Sequence, residues 1–207
     1  MPSEVSMESQ EVTSSIGRDP GLGVAFRLLL GRFGRRAERT RAPSYLLDGA
    51  EIPGEGWTSS SESNYRSVRR PLKSGPSLRC VGATRNYRHG TRYLFIAITV
   101  MDRSDDAILM IQRTRSDFIR RPQVEVTAER EMSGFDLPAI QDAQVYEKDT
   151  VRGSLHGYLR WIAGRVDNVV LAVLASGQDG DWEWDEAMRI ATAQAEKIAR
   201  LRSTQGS

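Results

Sequence analysis

The chain has 207 residues, 39% hydrophobic and 27% charged, with a formal net charge of +2. That composition supports an ordinary buried core and excludes both a wholly disordered chain and a membrane bundle. A single cysteine, Cys80, excludes an intramolecular disulfide, so core packing must supply the stability, and the thiol itself is expected in the core.

Charge is unevenly laid out along the chain. Residues 1–16 carry Glu4, Glu8 and Glu11 and no base, residues 17–41 carry seven arginines against Asp19 and Glu38, and the remainder balances. Any attraction to an anionic surface is therefore local. Residues 1–20, rich in Ser and Glu and without aromatics or period, are predicted to form a disordered acidic tail. Residues 21–41 read as a basic amphipathic segment. Val24, Phe26, Leu29, Leu30 and Phe33 share one helical side, while Arg27, Arg35 and Arg36 point elsewhere. Such a segment can dock on the following domain, bind a partner or lie on an anionic membrane surface, which makes Phe26, Leu29, Leu30 and Phe33 the candidate membrane or partner contacts.

Residues 42–203 are expected to form one α+β domain. A helical turn at Tyr45–Leu47 precedes the Pro53–Gly56 turn and Trp57, and residues 58–76, Ser-rich and basic with Pro71 and Pro76, read mainly as a loop. A strand is expected near Leu78–Thr84, a turn over Asn86–Gly90, and a central strand at Arg92–Met101, whose apolar run implies cover on both faces. Ser104, Asp105 and Asp106 open a helix that Pro122 stops, with Ala107, Ile111, Thr114 and Phe118 on its inner stripe and Ile108 alongside. Four strand-like segments follow, at 123–132, 142–149, 153–163 and 166–175. The last two are read as a hairpin around Gly164–Arg165, and 166–175 as a second central strand. The closing helix is expected from about Asp181, presenting Trp184, Met188, Ala191, Ala195 and Ile198. This order predicts an antiparallel β-sheet with two main helices packed on it.

Catalytic vocabulary is scarce. There are two histidines, His89 and His156, and no nucleophile elbow, P-loop, dinucleotide fingerprint or metal quartet. No catalytic residue, cofactor or metal ligand is therefore assigned. Asp179, Asp181, Glu183, Asp185 and Glu186 resemble the opening of a calcium loop, but Trp184 stands where such a loop needs glycine. An acidic first turn suiting the helix dipole is the plainer reading. Trp57, Trp161, Trp184 and Tyr158 are the candidate ligand-binding residues, since amphipathic rings make pocket walls as well as core edges. Trp182 and Trp184, two residues apart, cannot share a helical face. Residues 57–92 hold eight bases against Glu62 alone, and Arg66, Arg69, Arg70, Arg85 and Arg88 are the candidate anion-binding set.

Three stretches carry a resemblance: Leu46–Leu47 with Ile52–Pro53–Gly54 and Gly56–Trp57; Gly164 to Val170; and the Ala-rich closing helix ending Ile198–Ala199–Arg200–Leu201. Together they resemble the sensor-type domains of actinobacterial exported proteins and lipoproteins, including extracellular domains of mycobacterial receptor Ser/Thr kinases. The resemblance implies an antiparallel sheet flanked by helices and a ligand-sensing or protein–protein interaction role without catalysis. The chain departs from it in having no signal peptide, no lipobox cysteine, no apolar run of the roughly 18 residues a spanning helix requires, and no cysteine pair. The expectation is a non-enzymatic, sensor-like domain that binds a protein or small molecule, cytoplasmic and at most peripheral at the inner face of the membrane. The alternative is polyanion binding through residues 57–92, with nucleic acid disfavoured because no known module fits, or a small enzyme without a motif.

Overall fold

An apolar run without charges is stable only where both faces of its strand are covered, and the two such runs here lie side by side in the middle of one sheet. Strand β3 (Arg92–Met101) pairs antiparallel with β7 (Val169–Gln178), from Tyr93 opposite Ser176 to Val100 opposite Val169. The structure is a computed structural model and describes residues 42–69, 78–119, 125–152, 155–178 and 180–204. Outward from the central pair lie β2 (Leu78–His89) and β1 (Thr58–Arg69) on one side. On the other lie β6 (Leu155–Val166), β5 (Gln141–Arg152) and β4 (Glu125–Met132). The seven-stranded order is β1-β2-β3-β7-β6-β5-β4, antiparallel throughout.

Helices cover both faces, so the chain is the α+β fold expected of it. On one face α3 (Trp184–Ser203) and the short α1 (Ala42–Tyr45) bury Ile96, Ile98, Leu171 and Val173. On the other, α2 (Ser104–Ile119) sets Ala107, Met110 and Ile111 against Leu78, Cys80, Met101 and Val170. Ala97, Ala172 and Ala163 stand in one row across β3, β7 and β6, and these small side chains let α2 lie close on all three strands. No described helix is long and apolar enough to cross a membrane.

The strap between α1 and β1 has almost no regular structure, so its backbone groups need side-chain partners. Gln194 donates to the Tyr45 carbonyl (2.6 Å) and accepts the Leu47 amide (3.1 Å). Lys197 donates to the Leu46 carbonyl (2.7 Å) and pairs with Glu51. Arg85 (2.7 Å) and the Tyr87 hydroxyl (2.5 Å) both donate to the Leu47 carbonyl. Burial pushes the Tyr87 hydroxyl up to about 12.

Several local expectations are corrected. Residues 58–69 are a strand, not a loop. Thr58–Asn64 are exposed, so an edge strand of this kind shows no apolar alternation to read. β2 runs on to His89, leaving only Gly90 and Thr91 to turn. The β6–β7 hairpin turns at Asp167–Asn168, with Asp167 at φ 61° and Val166 opposite Val169. Gly164 lies inside β6, where a Cβ would come within 2.3 Å of Ile140 Cγ2 and 2.8 Å of the Gln141 carbonyl, so close approach explains this glycine. In α2, Met110 joins Ala107 and Ile111 on the inner face, whereas Ile108, expected alongside the stripe, is 39% exposed. α3 begins at Trp184, while Trp182 precedes it and is buried. The expectations for residues 1–20 and 21–41, with Phe26, Leu29, Leu30 and Phe33, fall outside the described residues, as does the helix stop at Pro122.

Candidate functional site

At one end of the sheet, on the α3 face, the strap reaches Trp57, β2 ends at His89, β3 begins at Arg92 and α3 begins at Trp184. Two aromatic–arginine stacks meet there. In the first, the Trp57 and Trp182 rings lie 5.3 Å apart at 32°. The Arg92 guanidinium sits 4.1 Å from the Trp182 ring and 5.2 Å from that of Trp57. His89 meets Trp57 edge-on at 5.6 Å, and Trp182 Nε1 donates to the Ser176 carbonyl (3.1 Å). Arg92 forms an ion pair with Glu186 in the first turn of α3.

In the second stack the Arg160 guanidinium lies 4.6 Å from the Tyr158 ring and 4.9 Å from that of Trp184, which Phe135 meets at 5.1 Å. Arg160 donates to Glu147 (3.0 Å) and to the Trp182 carbonyl, so Trp182 joins the two stacks. Arg130 on β4 donates to Glu147 (2.8 Å) and Asp149 (3.0 Å). The alternation of β5 puts Glu147 and Asp149 on one face, and pairing with β6 sets them opposite Arg160 and Tyr158. Burial alone raises the pKa of the Glu147 carboxyl, but the hydrogen bonds from Arg130 and Arg160 outweigh it and hold the group below its ordinary value. Burial pushes the Tyr158 hydroxyl up. Three arginines thus face three carboxylates, and every ring is engaged.

Four donor atoms at this end remain over, Arg92 Nη2 and the Tyr158 hydroxyl among them. Trp57 Nε1 and Arg92 Nε are buried and meet no acceptor, and Glu186 approaches Arg92 as an ion pair without hydrogen-bond geometry. A buried donor left unmade costs about 1–3 kcal/mol. The Pro53–Gly56 turn lies beside Trp57 Nε1, with Gly54 at φ +99° and Gly56 at φ +84°. A Cβ on Gly54 would stand in ordinary contact with Glu186 Oε1 (3.6 Å) and Trp57 Nε1 (3.7 Å), and the positive φ is what favours glycine here.

Of the candidate ligand residues, the structure brings Trp57, Tyr158 and Trp184 to this end of one face. Trp161 is on the opposite face, packed against Tyr146 at 5.6 Å. Of the anion-binding set, Arg85 is engaged by Glu62 (2.5 Å) and Asp48 (2.6 Å), Arg88 is exposed, and Arg70 and the side chains of Arg66 and Arg69 fall outside the described residues. Cys80 is buried and His156 exposed. Asp185 and Glu186 occupy the first turn of α3, and Asp181 accepts from Thr91 (3.0 Å) and the Gln178 amide (2.8 Å). Among the described residues no three His, Cys, Asp or Glu side chains are grouped to hold a metal ion. Sequence reasoning missed Arg92, Glu186, Arg160, Glu147 and Arg130. For Arg92 and Arg160 the readable signal was a charge at the head of, or within, a largely apolar strand; Glu186, Glu147 and Arg130 stand among other charges and carried none.

No family model matches this sequence, and no curated protein is significantly similar to it. Solved structures are similar. The extracellular domain of PknH from Mycobacterium tuberculosis aligns at TM-score 0.49 and 10% identity, over 78% of this chain and 96% of that one. The Rv0999 ortholog from Mycobacterium smegmatis aligns at TM-score 0.41 and 11% identity, over 78% and 95%. Both neighbours are mycobacterial proteins. No ligand or partner carries over from scores of this size. One expectation is corrected: the chain was placed in the cytoplasm, and the PknH neighbour is an extracellular domain. The cytoplasmic reading rested on a lone cysteine and on the first residues of the chain, and neither fixes a compartment.

Proposed function

We propose that the chain is a non-enzymatic, sensor-like binding domain whose ligand is received at the Trp57–Arg92 end of the sheet. The observation that carries this reading is that two donors of the Trp57–Arg92 stack, Trp57 Nε1 and Arg92 Nε, are buried without an acceptor, the first of them beside the Gly54 turn. Buried N–H groups of this kind call for an oxygen acceptor. The charges around them already cancel, so a neutral carbonyl or hydroxyl suits the place better than a free anion, which Glu186 would repel. No side chain at this end is arranged as a nucleophile with its base, and the arginines are held by carboxylates and rings.

The test uses the four tryptophan indole N–H resonances of the full chain. A library of neutral carbonyl- and hydroxyl-bearing fragments is expected to move the Trp57 signal and leave that of Trp161, on the other face, in place. Trp57→Phe keeps the ring and deletes the donor, and it is expected to lower the affinity of such a fragment about 2- to 12-fold. If only Trp161 responds, or Trp57→Phe binds as well as the parent, the site is misplaced.

A further inference from the structure

The two edges of the sheet are built differently. β4 is eight residues long, its register slips between Val126 and Ala128, and it carries Glu125, Glu129, Arg130 and Glu131. Charges and a bulge are the usual guards against a foreign strand. β1 is 12 residues long, without proline or lysine, and its one irregularity falls near its start, between Ser59 and Ser61. From Ser61 to Arg69 it keeps unbroken register with β2, and its charges are sparse, Glu62, Arg66 and Arg69 in twelve residues against four in eight on β4. None of the described residues pairs with its outer side. A long unguarded edge presents a row of free N–H and C=O groups to any strand that matches it.

We propose that this edge pairs with β1 of a second copy of the chain, antiparallel, about a two-fold axis through Asn64. The charge pattern selects this occupant. With Asn64 facing Asn64, position 62 of each chain falls opposite position 66 of the other, so glutamate meets arginine twice. Positions 62 and 66 lie on the same face of the sheet, and an axis perpendicular to the sheet keeps that face common to both copies. A parallel in-register pairing sets glutamate against glutamate and arginine against arginine, which is unfavourable. The remaining positions between 59 and 63 are mostly serine, small enough not to obstruct the approach. The two seven-stranded sheets then continue into one, with both α3 helices on the same side. This interface is independent of the ligand site.

The test is sedimentation of the full chain together with site-directed crosslinking. Successive N–H groups of a strand point to opposite sides, so of Ser63→Pro and Asn64→Pro one removes an outward N–H, and that one is expected to convert the dimer to monomer. Glu62→Arg is expected to raise the dissociation constant about tenfold or more, and the swap Glu62→Arg with Arg66→Glu to restore it. That double variant distinguishes lost pairing from loss of the Arg85 contact. Asn64→Cys is expected to form an intermolecular disulfide on oxidation, since residues directly opposite across antiparallel strands are within disulfide reach. Ser60→Cys, displaced from the axis, is not. A chain that sediments as a monomer at every concentration overturns the proposal, as does a dimer that crosslinks at position 60 and not at 64.

Discussion

Gln194 holds Leu47 and Tyr45 at once: its side-chain oxygen takes the Leu47 amide at 3.1 Å while its nitrogen donates to the Tyr45 carbonyl at 2.6 Å. The residue is fully buried and sits among Ala191, Ala195 and Ile198 on the inner face of α3. A polar side chain in that company is tolerated because both ends are satisfied. It fixes the strap that leads to Trp57, and so links the middle of α3 to the site at its start.

Gln194→Leu should therefore be costly although leucine suits the surroundings. It leaves a buried amide and a buried carbonyl without partners, at about 1–3 kcal/mol each. Urea melts should show the loss, and hydrogen exchange should speed up at Leu47 before it does at the central strands. Uniform acceleration across β3 and β7 would mean that the strap unfolds only with the whole domain.

The Glu147 carboxyl predicts an acid-sensitive component of stability. Its folded pKa lies below its ordinary value of 4.5, as does that of Glu51, where burial is outweighed by the hydrogen bonds from Lys197 and the Asp48 amide together with the Lys197 charge. A depressed carboxylate contributes stability that is complete above the unfolded value and lost as pH falls through the folded one. The urea midpoint should hold from neutral pH down to about 5 and then drop. Glu147→Gln should lower stability by about 1–3 kcal/mol at pH 7 and flatten part of the acid decline. An acid slope identical to that of the parent would assign the effect to other carboxylates.

The central strands were legible because their environment is written in their residues: Arg92–Met101 and Val169–Ala175 are apolar at odd and even positions alike, and each is buried on both faces. β1 was illegible for the opposite reason, since nothing covers the Ser-rich stretch from Thr58 to Asn64 and no burial pattern marks it. Glycine misled at Gly164, because the same residue type signals a turn and a close approach, and only the contact with Ile140 distinguishes them. At the site the aromatic residues were visible and the ionic ones were not. Arg92 and Glu186 belong to distant stretches, and no local pattern announces their pairing. One separation could have been read: Tyr158 and Trp161 are three apart in a strand of period two, so they must face opposite ways.

That separation divides the tryptophans by role. Trp161, 3% exposed and packed on Tyr146, Ala163, Ala172 and Leu174, serves the α2 side of the core. Trp161→Ala should cost about 3–5 kcal/mol by opening a cavity there. Trp184 is half-buried, and Trp184→Ala should cost less in stability while changing the environment of Arg160 and Phe135, visible in the indole and aromatic resonances of the site. Equal losses in the two variants would show that Trp184 is as much a core residue as Trp161.

Arg92 is where the stacking, the ion pair and the unfilled donor coincide, and graded substitution can separate them. Arg92→Lys keeps the positive charge opposite Glu186 but loses the planar group lying over Trp182 and Trp57, so it should cost about 1–2 kcal/mol. Arg92→Met loses the charge as well and leaves Glu186, only 18% exposed, without its counter-ion, for a loss of about 3–5 kcal/mol. Adding Glu186→Gln to Arg92→Met should recover part of that loss, because the uncompensated carboxylate is then gone. Urea melts of the three variants at pH 7 give the comparison. If Arg92→Lys is as stable as the parent, the stack contributes nothing beyond the charge. If the double variant is no better than Arg92→Met, the guanidinium is held by the indoles rather than by Glu186.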